Sequence, residues 1–293
     1  MGLGASEAQI LSELVAENKQ IFTIEELARK TGSREKARSM ASKLVKKNWL
    51  ERIAKGVYLT LELSAGKTPE WTQDSYYIAS KLASPYYIGF YNTLNHYGWT
   101  EQVPLTINIA VTKPLKSREI HGVRYNFVCL SKKKFFGTAK QNIHGHEIVI
   151  SDPEKTLVDA LDHPEYCGGI EEVAKAVYFA RPFIDSLQDP KPYVSHRNTP
   201  EQNREVMRGA TKIDWEKVLE YAEKQGNGAV FKRLGFICEL MEITLPPGLK
   251  NKIKRKVTKG YSSLSPGSPS KGRHDSKWNL ILNVEITKQS VLA

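Results

Sequence analysis

Residues 23–47 read TIEELARKTGSREKARSMASKLVKK. Thr23 and Glu26 stand at capping-box spacing, so that each side chain meets a free backbone N–H of the other's turn. Gly32 suits the left-handed residue that closes a helix, and Ser33 suits the N-cap of the next one. From Arg34 to about Lys47, Ala37, Met40, Ala41, Leu44 and Val45 recur at helical spacing, which predicts a third helix with one apolar stripe. Its other face carries Arg34, Arg38, Ser39, Ser42, Lys43, Lys46 and Lys47.

Upstream, residues 6–18 (SEAQILSELVAEN) place Ile10, Leu11, Leu14 and Val15 on one face, with Ser6 as the expected N-cap. Downstream, Trp49 to Ile53 and Val57 to Leu61 flank the turn Ala54-Lys55-Gly56 and predict a hairpin. Helix, short helix, tight turn, helix and hairpin is the order of a winged helix-turn-helix. In that motif the helix after the turn enters the major groove and its first residues meet base edges. Here these are Ser33, Arg34, Lys36, Ala37 and Arg38. The wing tip, Arg52 to Gly56 with Lys55, is expected on phosphate or in the minor groove. Between Arg29 and Lys55 ten Lys and Arg stand against Glu35 and Glu51, a concentration that supplies sequence-independent attraction to phosphate. The expected DNA-contacting set is Ser33, Arg34, Lys36, Arg38, Ser39, Ser42, Lys43, Lys46, Arg52 and Lys55. The competing reading is a merely solvated basic helix face.

At 293 residues the chain is long enough for two domains. We expect α+β architecture, with a winged helix-turn-helix over 1–64 and a larger mixed α/β domain over 70–293. The formal net charge of +11 favours an anionic partner. No run of 18 apolar residues is present, and a membrane is not an expected partner. Met1 to Glu7 lacks the pattern of a signal peptide. Met1-Gly2 with Ser6 has the spacing of a myristoylation signal, but a helix start explains it more simply. Cys129, Cys167 and Cys238 lie far apart, which argues against structural zinc and disulfides and for the cytoplasm.

In the second part, Trp71 to Leu82 reads as helix. The aromatic run Tyr86 to Trp99 puts Tyr87, Phe90, Tyr91 and Leu94 at helix spacing, expected to pack a core rather than stack bases. Strands are expected over Leu105 to Val111, Val123 to Val128 and Glu147 to Ile150. Lys113 to Ile120 and Lys132 to Lys134 read as basic connections. Ser151-Asp152-Pro153-Glu154 is a helix start, although Asp152, Glu154 and Lys155 superficially suggest a nuclease. His144 and His146 lack further ligands for a metal, and no cofactor is expected. Helices follow from Ile170 to Ala180, from Asp214 to Ala222 and from Ala229 to Met241, with 182–199 read as loop with partial helix. The stretch from Pro246 to Lys277 holds nine Lys and Arg against one Asp. By composition it looks disordered and adhesive for polyanions, yet Lys277 to Val284 reads as a strand, so a long loop returning to the fold is expected. We treat 246–276 as a basic Pro/Ser/Gly-rich insert.

The ordered set Ile53-Ala54-Lys55-Gly56-Val57-Tyr58, Tyr86 to Gly98, Ser151 to Ala160, Gly168-Gly169, Arg233-Leu234-Gly235-Phe236 and Trp278 to Asn283 resembles the AbiEi antitoxins of abortive-infection toxin–antitoxin systems, regulators of viral defence. That resemblance implies a repressor of its own operon that binds inverted repeats in promoter DNA. It implies a nucleotidyltransferase-like AbiEii toxin as functional partner, with a stable complex not required. It also implies that the second domain is needed for antitoxicity and assists DNA binding, and that base readout belongs to Ser33–Arg38. The insert at 246–276 departs from the family pattern.

Three functions compete for this sequence. The first is a transcriptional autorepressor and antitoxin. The second is direct toxin binding, with Tyr86 to Trp99 as its surface. The third is an enzyme that reverses the toxin's modification. The sequence offers this last no nucleophile–base pair, phosphate-binding glycine loop or metal set.

Overall fold

The computed structural model describes residues 2–17, 19–61, 75–143, 145–181 and 211–292. Helix α1 spans Ala5–Ala16, strand β1 Ile21–Thr23, α2 Ile24–Thr31, α3 Arg34–Lys46, β2 Leu50–Ala54 and β3 Val57–Thr60. The three strands form an antiparallel sheet in the order β1-β3-β2. Thr23 accepts from the Glu26 N–H at 3.2 Å, while Glu26 accepts from the Thr23 N–H at 2.7 Å. Gly32 is left-handed, with φ 77°. Ser33 accepts from the Lys36 N–H at 3.1 Å. One expectation changes. The first helix begins at Ala5 with Gly4 as its N-cap, because the Glu7 carboxylate reaches back to the Gly4 N–H at 2.8 Å; Ser6 lies inside the helix.

A compact core closes this unit: Leu11, Leu14, Phe22, Leu27, Ala37, Ala41, Leu44 and Leu50 are all buried together. The small Ala37 and Ala41 let α3 approach closely, and Leu44 fills the remaining depth. Truncating such a leucine costs about 2–5 kcal/mol through lost transfer energy and a residual cavity.

The larger unit is built on a six-stranded mixed sheet in the order β6-β7-β5-β4-β9-β8. Its strands are β4 (Tyr86–Ile88), β5 (Thr106–Val111), β6 (Arg118–Ile120), β7 (Val123–Cys129), β8 (Thr138–Ile143) and β9 (His146–Ser151). Pairs β5–β7 and β4–β9 are parallel, and the other pairs are antiparallel. Around it lie α4 (Ser75–Leu82), α5 (Tyr91–His96), α6 (Pro153–Asp162), α7 (Ile170–Phe179), α8 (Trp215–Gln225) and α9 (Gly228–Leu240). Helix α6 is buried from Glu154 to Asp162 and touches α5, α7, α8 and α9. Asp152 is its N-cap, accepting from the Lys155 N–H at 2.8 Å, with Pro153 in the first turn.

The aromatic run is a strand followed by a helix, not one helix. Its side chains still pack inward, and Tyr87, Phe90, Leu94 and Trp99 have no exposure. Besides β4, two further strands of this sheet lie outside the expected ones, as does β1 in the winged unit. One, β6, lies in the basic connection and is only three residues long. The other, β8, alternates without an apolar face. The basic triplet 132–134 is one turn of 3-10 helix, tied down where Lys134 meets Asp162 at 2.8 Å. The expected helix start at 71–74, the boundary between 64 and 70, the segment 182–199 and His144 lie outside the described residues. His146 is stacked on Tyr77 at 3.7 Å between ring centroids.

The chain ends with α10 (Leu249–Arg255), a three-stranded sheet in the order β10-β12-β11, and α11 (Lys288–Leu292). Here β10 is Ser262–Ser263, β11 Arg273–Asp275 and β12 Leu280–Leu282, so the expected strand over Lys277 to Val284 shortens to three residues. The basic 246–276 stretch is folded, because α9 anchors it. The buried Arg233 guanidinium donates to the carbonyls of Leu161, Asp162, Ser263 and Leu264 at 2.6–3.3 Å. Lys232 donates to the Gly260 carbonyl and the Ser262 hydroxyl. Trp278 lies flat against Gly235, where a Cβ would fall 2.1 Å from its ring.

Candidate nucleic-acid interface

The α2–turn–α3 segment and the β2–β3 wing present one continuous set of exposed cations. Arg34, Lys36, Arg38, Ser39, Ser42, Lys43, Lys46, Arg52 and Lys55 are all exposed, and Ser33 is half-buried because it caps α3. Burial of Ala37, Ala41 and Leu44 fixes the roll of the helix. That roll turns Arg38, Ser42 and Lys46 outward as one stripe, four residues apart. Lys36, Ser39 and Lys43 make a second stripe.

The second stripe meets something the sequence did not announce. Lys36, Ser39, Met40 and Lys43 form one wall of an open cleft of about 640 Å³, whose other wall is Gly4 to Glu7 at the start of α1 and Lys30 and Thr31 of α2. The Glu7–Lys47 ion pair, at 2.7 Å, holds α1 beside α3. Residues 40 apart in sequence obey no local spacing rule, so nothing in the pattern could have disclosed this wall. Glu7 is held below its ordinary range chiefly by its hydrogen bond from Lys47.

Charge pairing sorts the cations. Arg34 Nη2 lies 2.8 Å from Glu25 on α2, and Lys30 bridges Glu13 and Glu17. Among the described residues no carboxylate lies within ion-pair distance of Arg29, Lys36, Arg38, Lys43, Lys46, Arg52 or Lys55. These are the side chains free to answer an external anion. Arg34 must first exchange its carboxylate.

The wing is rigidly based. Gly56 has φ 76°, and its carbonyl accepts from the Ile24 N–H at 2.7 Å, which ties the hairpin turn to the start of α2. A bulge between Arg52 and Ala54 twists β2, and the Arg52 Nε–H donates to the Ala54 carbonyl at 3.3 Å. Behind the wing, Ile21, Ile53, Val57 and Leu59 join the core of the larger unit. Tyr77 donates to the Ile21 carbonyl at 3.1 Å, and His121 meets Glu51 at 3.1 Å.

The residues that suggested a nuclease are each committed to packing. Asp152 caps α6 and accepts from Lys217 and Tyr221. Glu154 accepts from Lys217 and from the Asp214 N–H. Lys155 is fully buried, donating to Asp159 and Gln225. Burial, the largest influence, pushes the Asp159 carboxyl up against the pull of Lys155. Among the described residues no cluster of three or more His, Cys, Asp or Glu could hold a metal ion, and no helix is long and apolar enough to cross a membrane.

The chain is α+β and opens with a winged helix-turn-helix whose third helix turns Lys36, Arg38, Lys43 and Lys46 to solvent without a carboxylate partner among the described residues. Residues 9–60 match the model of the family described as "Transcriptional regulator, AbiEi antitoxin". The match coincides with the winged unit, so what this part of the chain is similar to is a transcriptional-regulator antitoxin. No curated protein matches the chain. Over its whole length the fold is similar to the crystal structure of the RV2827C protein from Mycobacterium tuberculosis. The TM-score is 0.60, with 11% identity, 99% of this chain and 94% of that chain covered. At such identity the likeness is one of fold.

Proposed function

We propose that the chain is a DNA-binding transcriptional autorepressor and antitoxin of an abortive-infection operon, acting in the cytoplasm. Its α3 and wing bind inverted repeats in promoter DNA, and its functional partner is a nucleotidyltransferase-like toxin. The observation that carries this reading is the coincidence of two independent features on residues 9–60: the regulator-family match and the exposed, carboxylate-free cations of α3 and the wing. Arg38, on the outward stripe and one turn into α3, is the residue assigned to base edges, with Arg34 beside it once Glu25 releases it. Lys36, Lys43, Lys46, Arg52 and Lys55 are assigned to phosphates, where charge matters and sequence does not. Ser33, Ser39 and Ser42 supply hydroxyls to the same surface. Burial of the aromatic run Tyr86 to Trp99 leaves the direct toxin-binding alternative without its expected surface. The second unit's helices remain the place for antitoxicity in this reading.

The test is an anisotropy titration of the protein with the DNA upstream of its gene, against scrambled DNA, at two salt concentrations. Preferential binding that persists at the higher salt is expected. Equal, salt-erased binding to both DNAs would reject the repressor reading and reduce the net charge to nonspecific adhesion.

A further inference from the structure

We propose that the cavity between α9, α10 and Trp278 is a binding site for a small aromatic monocarboxylate, a flat apolar ring system carrying one negative charge. The cavity measures about 290 Å³. Protein interiors leave few voids larger than a water molecule, and an apolar cavity of about 150 Å³ already holds benzene. The space here admits two fused rings.

The connection from α9 to α10 keeps the cavity from collapsing. Its backbone is fixed at both ends, with Glu242 at φ 53° and Gly248 at φ 81°. The Ile243 N–H donates to the Cys238 carbonyl at 2.8 Å, and the Leu249 N–H donates to the Pro246 carbonyl at 3.1 Å. Pro246 and Pro247 stiffen the segment between. A pocket held in this way is formed before its ligand arrives, which spares the cost of ordering it on binding.

Cys238, Ile243, Leu245, Ile253 and Trp278 make the walls apolar. Burial pushes the Cys238 thiol up to about 12, so it stays uncharged and counts with those walls. Trp278 supplies an aromatic ring, against which a second ring packs by offset or edge contact. Two charged residues, Glu239 and Lys250, also line the cavity. Glu239 is already engaged: it pairs with Lys277 and accepts from the Trp278 Nε1–H at 2.8 Å. Those two bonds, the one from Lys277 first, hold its carboxyl below the ordinary range. Lys250 is the opposite case, since among the described residues no carboxylate lies within ion-pair distance of it. Its charge is nevertheless felt at both the Cys238 thiol and Glu239, so the ammonium lies close to the cavity. Lys250 and Lys277 against Glu239 leave one positive charge in excess at the mouth, and a single carboxylate answers it. Lys254 and Arg255, equally exposed on α10, line no part of the cavity.

Calorimetric titration of the full-length protein with naphthoate, and with naphthalenemethanol as its neutral counterpart, tests this. Naphthoate is expected to bind with a Kd below about 1 mM. The alcohol should bind about tenfold more weakly, the difference that a charge-assisted hydrogen bond makes. Lys250→Met should bring naphthoate down to the level of the alcohol and leave the alcohol unchanged, whereas Lys250→Arg should keep the preference. Lys254→Met, one turn along the same helix and outside the cavity, should bind both as the wild type does. All three are surface substitutions, and an unchanged melting temperature verifies folding. Absence of naphthoate binding, equal affinity for the two compounds, or equal loss in Lys250→Met and Lys254→Met would each overturn the proposal. So would tighter binding of octanoate, which carries the same charge on a flexible chain. Arg38→Ala is expected to bind naphthoate as the wild type does, so failure of promoter binding and failure of this site are distinguishable.

Discussion

Lysine and arginine do opposite work in the two halves of the molecule. On α3, Arg38, Lys43 and Lys46 stand in solvent with no carboxylate beside them among the described residues. In the larger unit, Lys155, Lys232 and Arg233 are buried, and every one is bonded to an acceptor inside the protein. The contrast follows from solvation. An exposed cation loses little by waiting for a partner, whereas a buried one must be compensated within the fold or it destabilises it. A count of basic residues therefore says nothing about binding until burial has divided them. In this chain the division leaves α3 and the wing among the places where exposed cations have no carboxylate partner among the described residues.

That division can be broken most severely at Lys155. Lys155→Met leaves Asp159 and the Tyr87 hydroxyl, 72 residues apart in sequence, with a buried carboxylate that nothing neutralises. A loss of about 3–5 kcal/mol is expected in denaturant unfolding. The double variant Lys155→Met/Asp159→Leu should recover most of it, and a double no better than the single would show that the pair is not what the core requires.

Arg38→Ala is the counterpart on the exposed side. Unfolding stability should stay within about 0.5 kcal/mol of wild type, while operator affinity falls by about 1–3 kcal/mol and random-DNA affinity much less. Equal loss on both DNAs would move Arg38 from base readout to phosphate contact.

Lys55→Ala on the wing should act more gently and without regard to sequence. It should lower specific and random binding alike and reduce the slope of log affinity against log salt by about 1. A sequence-selective effect would place the wing on base edges instead.

The smallest effect expected is a pH dependence at the entrance to α2. Burial alone would raise the Glu26 carboxyl, but the Thr23 N–H, Lys81 and the Thr23 hydroxyl together hold it below its ordinary value of 4.5. A depressed carboxyl contributes stability that is complete above that ordinary value and is lost as pH falls through the folded one. Thermal melts of the wild type should therefore decline below about pH 4.5, and Glu26→Gln should flatten that part of the curve. Parallel curves for the two proteins would remove Glu26 from the linkage.

Helix caps, turn residues and apolar periodicity determined the three helices and the hairpin of the winged unit from the sequence alone, though not strand β1 or the Gly4 cap. Thr23, Glu26, Gly32 and Ser33 act over three or four residues, and their partners are their own backbone neighbours, so reading them in order suffices. The same local rules found Asp214 at the start of α8 and placed the start of α6 within one residue, where Asp152 rather than the Ser151 of the capping-box spacing is the N-cap. They failed on the aromatic run, where Tyr86 to Ile88 pairs with β5 and β9 and is drawn into the sheet despite helical spacing. They also failed on 246–276, whose composition reads as unstructured. Its order comes from Arg233 and Lys232, about 30 residues away, and from the fit of Trp278 on Gly235. Only the tertiary structure could decide those segments, the cleft between α1 and α3, and the cavity between α9, α10 and Trp278. Each depends on groups brought together by chain closure, and a buried donor or a strand edge accepts whichever partner the fold delivers rather than one at a fixed spacing.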